Sequence, residues 1–102
     1  MEEVKIIGVS EGYLTVALAG EIDFAKAEAF CTAVMEGFKA TPANVCFDCA
    51  ELEFIDSTTL GTFVKILKAI KTEGYSMTLI NLQANIKRLF AICALDKIIT
   101  IA

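Results

Sequence analysis

An α/β domain with the element order ββαβαβαβ is the fold this sequence predicts. Three observations lead there. Strand-length apolar runs alternate with amphipathic segments of helical period along the chain. The residues are 56% hydrophobic, with mean hydropathy +0.62, which suits a packed core and not a disordered chain. The length of 102 residues fits one compact domain, spanning 1–102, and is too short for two. Strand–helix alternation after an opening hairpin implies a mostly parallel or mixed sheet with helices packed on it.

The elements follow in order. Val4 to Val9 is a short apolar strand, and Gly12 marks a turn. Tyr13 to Ala19 is a second strand, so the first two form a hairpin. Gly20-Glu21-Ile22-Asp23 breaks the pattern, and Asp23 is suited to cap the helix that follows. In that helix Phe24, Ala27, Cys31, Val34, Met35 and Phe38 recur at helical spacing. Thr41-Pro42 ends it.

Residues 44–49 read as a buried central strand. Leu52, Phe54 and Ile55 lead into Asp56-Ser57, where a second helix begins. Its buried stripe is Leu60, Phe63, Val64, Leu67 and Ile70, with Lys65, Lys68 and Lys71 opposite. Gly74 stops it. Tyr75 to Leu82 is the fourth strand. Asn85 is suited to cap a third helix burying Ile86, Leu89, Phe90 and Cys93, and Ile98 to Ile101 closes the chain as a strand.

Several function classes drop out. No run approaches the ~18 apolar residues of a membrane span. The acidic start Met1-Glu2-Glu3 does not resemble a signal peptide, so a cytoplasmic location is expected. The net charge is −4, with residues 1–56 carrying −8 and residues 57–102 carrying +4. That balance disfavours direct nucleic-acid binding and fits protein partners better. There is no histidine, no Ser-His-Asp set and no phosphate-cradling glycine loop. The chain therefore does not read as an enzyme, with no catalytic residue, cofactor or metal assigned. Glu51, Glu53, Asp56 and Asp23 read as solvated carboxylates at strand ends rather than as a cation site.

The four cysteines are Cys31, Cys46, Cys49 and Cys93. Cys46 and Cys49 have the C-x-x-C spacing of redox and zinc sites. On a strand, residues three apart face opposite ways, so the two sulfurs diverge and read as small hydrophobes.

What remains is the junction Phe54-Ile55-Asp56-Ser57-Thr58-Thr59-Leu60-Gly61. A helix's first amides lack partners and favour negative charge. Asp, Ser and Thr there serve as caps, and a hydroxyl there can also accept a phosphate. The residues alone leave both readings open.

This junction resembles that of the STAS domain family, specifically the bacterial anti-sigma factor antagonists. Their pattern is an apolar pair, Asp-Ser, a small residue, Gly, an apolar residue and Gly. Gly20-Glu21-Ile22-Asp23 is similar to the family's Gly-Glu-Leu-Asp, and Asp48 stands where many members carry Asp. Ile86-Lys87-Arg88-Leu89-Phe90 and Asp96-Lys97-Ile98-Ile99 resemble the last helix and strand. The resemblance covers nearly the whole chain.

The resemblance implies that Ser57 is the phosphorylation site. It implies a partner surface of Asp23, Asp56, Ser57, Thr58, Thr59 and Gly61. The partners implied are an anti-sigma factor that is also a serine kinase, and a PP2C-type phosphatase. The unmodified protein would bind the anti-sigma factor and free sigma, and phosphate would end binding. The alternatives are a STAS scaffold or transporter-associated subunit without phosphorylation, and a small anion- or nucleotide-binding regulator. Oligomeric state is left open. Two departures stand out. Thr59 replaces the usual Gly, and a β-branched residue there implies an altered partner surface. Ala102 ends the sequence where many members add a helix, so surface that helix would cover is expected to be exposed here or capped by a partner.

Overall fold

A computed structural model describes residues 1–102. β1 (Val4–Ser10) and β2 (Tyr13–Ile22) pair antiparallel with Ser10 opposite Tyr13. That register leaves a two-residue turn, Glu11-Gly12, with φ +54° and +85°. Both values are positive, as a turn matching strand twist requires, and Gly12 accepts its value without strain.

Three crossovers follow: α1 (Phe24–Ala40) to β3 (Asn44–Ile55), α2 (Ser57–Thr72) to β4 (Met77–Ile80), and α3 (Ala84–Ile92) to β5 (Thr100–Ile101). A 3-10 turn, Leu95–Lys97, precedes β5. The sheet order is β1-β2-β3-β4-β5, with β2 through β5 parallel. This is the mixed sheet and ββαβαβαβ order that the sequence predicts. Each parallel crossover steps one strand in the same direction. Right-handed connections then place all three helices on one face.

The burial pattern agrees. Leu14, Val16 and Leu18 of β2, Val45, Phe47 and Cys49 of β3, and Met77 and Leu79 of β4 lie beneath the helices. Thr15, Ala17, Cys46, Asp48, Thr78 and Ile80 alternate with them on the uncovered face and are half-buried. Cys46 and Cys49 thus point to opposite faces, and both are free thiols. Burial pushes Cys49 up to about 12, so it carries no thiolate at neutral pH.

The core is centred on Phe63. Its ring lies 5.1 Å from Phe30 of α1, 5.3 Å from Phe47 of β3 and 5.4 Å from Phe90 of α3, each edge-on. Such pairs each add about 0.5–1.5 kcal/mol beyond area burial. One side chain therefore holds three other elements to α2.

Element boundaries depart from the sequence reading in several places, among them β5, which begins at Thr100 and not Ile98, and α3, which ends before Cys93 and leaves that residue exposed. β2 continues through Gly20-Glu21 to Ile22, and β3 runs to Ile55. β4 is four residues because Asn81 turns left-handed, with φ +60°. The cap of α3 is Gln83, without a side-chain hydrogen bond, and not Asn85, which lies inside the helix. In α1 the buried stripe is Ala27, Phe30, Val34 and Phe38. Phe24, expected inside, is 71% exposed at the first position of α1, directly after the Asp23 cap.

Candidate functional site

The site is set by one register. Ile22 at the end of β2 pairs with Ile55 at the end of β3. Both are buried, anchoring the strand ends under the helices. The next residue in each strand is an aspartate, and each aspartate caps a helix. Asp23 Oδ1 accepts from Ala25 N at 3.1 Å. Asp56 Oδ1 accepts from Thr59 N at 3.0 Å. Adjacent parallel strands thus start two helices side by side at one edge of the sheet.

Asp56 does more than cap its own helix. Its Oδ2 accepts from Phe24 N at 2.8 Å, so one carboxylate binds the first turns of both α1 and α2. These donors stabilise the charged form. The Thr59 amide leads, with the Phe24 amide and Thr59 hydroxyl adding, and together they hold the Asp56 carboxyl below its ordinary 3.8.

Thr59 is fully buried. Its hydroxyl donates to the carbonyl of Ile22 and lies 3.1 Å from Asp56 Oδ1. One hydroxyl proton serves two acceptors across the β2–α2 seam. The Thr59 side chain is therefore not part of the exposed surface of this junction. The threonine is turned inward, and its methyl and hydroxyl fasten the junction from beneath.

Ser57 and Thr58 are exposed. Ser57 is the first residue of α2, immediately after the cap, and its hydroxyl bonds to no protein group. The cap at this junction is Asp56, which leaves the serine hydroxyl free. The Thr58 carbonyl accepts from the Thr62 hydroxyl at 3.0 Å. Gly61 is exposed, and a Cβ built there meets nothing within 4 Å. No packing inside this chain requires glycine at that position.

Beside the junction runs an open groove of about 360 Å³ between α1 and α2. Phe24, Glu28 and Cys31 line one wall, and Thr58, Thr62 and Lys65 line the other. Asp48 sits away from it. Its Oδ1 accepts from Ala50 N and from Asn81 Nδ2, both at 3.1 Å, tying β3 to the loop after β4. Its place here is structural.

Asp23, Asp56, Ser57, Thr58 and Gly61 thus share one edge of the molecule, with Thr59 beneath them. Phe24 belongs to the same edge and was not legible as a surface residue. The signal that could have found it is Asp23: a cap there makes Phe24 the first helical residue. No three carboxylates or cysteines converge as metal ligands, and both Asp56 oxygens are occupied by backbone amides. No helix is long and apolar enough to cross a membrane.

The STAS domain description matches residues 5–102. The anti-sigma-B factor antagonist of Bacillus subtilis (strain 168) is 33% identical over 94 residues, covering 91% of this chain and 84% of that protein. A crystal structure from Thermotoga maritima is 28% identical, with TM-score 0.78 over 96% of this chain and 82% of its own. The anti-sigma factor antagonist SpoIIAA of Bacillus, 17% identical, matches in two states. Its unphosphorylated form gives TM-score 0.71 over 87% of this chain and 82% of its own. Its phosphorylated form gives 0.74 over 97% and 90%. At that identity the likeness is one of fold, and the fold stands in both states of that protein.

Proposed function

This chain belongs to the STAS domain family, and on that premise we propose that it is an anti-sigma factor antagonist switched by phosphate on Ser57. The unmodified protein binds a kinase-type anti-sigma factor in the cytoplasm and releases the sigma factor held there. The kinase transfers phosphate from ATP to Ser57, and binding ends. A PP2C-type phosphatase restores the free hydroxyl. The protein itself performs no catalysis.

One observation carries this reading. Ser57 presents an unengaged hydroxyl directly after the cap, while Thr59 is locked inside. A kinase can reach the first and not the second. Thr58, exposed one residue on, is the rival acceptor.

The physics of the switch is local. Phosphate adds roughly −1.5 to −2 charges at neutral pH. At the start of α2 the helix dipole stabilises that charge, so the domain need not unfold. The dianion requires volume and hydration that a packed interface withholds. Asp56 adjoins it, placing like charges side by side. The switch therefore acts on the interface and leaves the fold standing.

The test is sigma release. The unmodified protein is added to a preformed complex of its genome's kinase-type anti-sigma factor with sigma, without ATP. Free sigma should appear in proportion to added protein. If the complex stays intact at saturating protein, the proposal fails.

A further inference from the structure

Phe24 is the feature that the fold leaves unexplained. It is 71% exposed, although it opens the apolar stripe of α1. Isolated exposed apolar residues are common on protein surfaces. This one differs in three respects. It stands at the mouth of the α1–α2 groove, across from Thr58. Its backbone is fixed on both sides: Phe24 N donates to Asp56 and Ala25 N donates to Asp23. A second half-exposed ring, Phe54 at 46%, lies two residues before Asp56, at a position paired with Glu21.

We infer that Phe24 is the anchor of the partner interface, inserting its ring into an apolar pocket of the anti-sigma factor. This rests on the reading that an anti-sigma factor is the partner. A ring on a pre-ordered backbone loses little conformational freedom when bound, so its burial converts efficiently into affinity. Interface energy concentrates in such central aromatic anchors.

The surrounding charge defines the rim of the pocket. Glu21, Asp23, Glu53 and Asp56 lie within two residues of the two strand ends. Of the nearby cations, Lys26 is engaged with Glu3 at 3.0 Å and with the Glu21 carbonyl at 3.3 Å, and Lys65 lines the same groove together with Glu28. The edge that presents Phe24 is thus net acidic. The complementary pocket is apolar at its floor and cationic at its rim.

Affinity for the kinase-type anti-sigma factor, measured by calorimetry without ATP, tests the assignment. Phe24→Ala is compared with wild type and with Ile92→Ala. Ile92 is 72% exposed at the end of α3, toward the opposite edge of the sheet, because α3 must return to the start of the parallel strand β5. Phe24→Ala should weaken binding by about 30-fold or more, the loss typical of an anchor. Ile92→Ala should change it less than about threefold. Raising salt from about 50 to about 500 mM should weaken wild-type binding, as a cationic rim requires.

A Phe24→Ala affinity within about threefold of wild type overturns the anchor while leaving the antagonist function standing. Loss of self-association in Phe24→Ala, with affinity for the anti-sigma factor unchanged, also overturns it in favour of a second copy of this chain. If wild type itself does not bind, the antagonist reading fails, and the anchor with it. Both substitutions are at exposed helical sites, so unaltered melting temperatures separate lost contact from lost fold.

Discussion

Thr59→Val isolates the hydroxyl that stitches α2 to β2. Valine keeps the branched shape and volume, so packing is retained. The Thr59 amide still donates to Asp56, so the cap is retained too. What is lost is the bond to the Ile22 carbonyl, together with the hydroxyl's contact to Asp56 Oδ1, which keeps its amide donor. Leaving one buried partner unmatched costs about 1–3 kcal/mol. Unfolding entropy near the midpoint is roughly 2.1 cal/mol/K per residue, or ~0.2 kcal/mol/K for a chain of this length. Each kcal/mol then moves the midpoint by about 5 °C, so Thr59→Val should melt roughly 5–15 °C below wild type. Thr59→Ser keeps the hydroxyl and loses one methyl, and should fall by about 1 kcal/mol through packing alone. Calorimetric melting and urea titration at neutral pH supply both values. A Thr59→Val midpoint within ~2 °C of wild type would refute the stitch, and the inward threonine would then be ordinary packing.

Gly61→Ala should raise stability by roughly 0.8–1 kcal/mol, because glycine is unfavourable inside a helix and the new methyl meets open space. If the partner approaches that backbone closely, the same methyl should weaken binding. Thermal melting and calorimetry would then move in opposite directions. Ser57→Ala should change stability by less than ~0.5 kcal/mol, since its hydroxyl holds nothing, and should bind equally well with or without prior ATP treatment. Asp56→Asn should flatten the acid limb of stability. The wild-type Asp56 carboxyl lies below 3.8 when folded, so its contribution is complete above that value and is lost as pH falls through the folded titration. Urea midpoints from pH 5 down to pH 2 should converge for the two proteins.

Much of this architecture was legible in the chain. Periodicity gave every helix and strand, because apolar spacing of two or of 3.6 residues is a local property. Asp23 was legible as a cap from residue type and position alone. The pairing of Ile22 with Ile55 was not, because register depends on contacts between distant segments. That register sends the second oxygen of Asp56 to Phe24 and turns Thr59 inward. The same limit explains Phe24: a stripe counts it as buried, but burial also requires a sheet beneath the helix. It also explains Ser57. Residue type could not decide between cap and free hydroxyl, and the geometry gives the cap to Asp56.

The central claim is that phosphate on Ser57 ends binding while the fold persists. The most direct measurement starts with the kinase-type anti-sigma factor and ATP, maps the modified residue by mass spectrometry, and titrates the purified phosphoprotein against fresh anti-sigma factor. The expected result is phosphate on Ser57 alone, an unchanged circular dichroism spectrum, and affinity reduced by roughly 100-fold, about 2.7 kcal/mol. Phosphate chiefly on Thr58, or a Ser57 phosphoprotein that binds as tightly as the unmodified chain, would contradict the account.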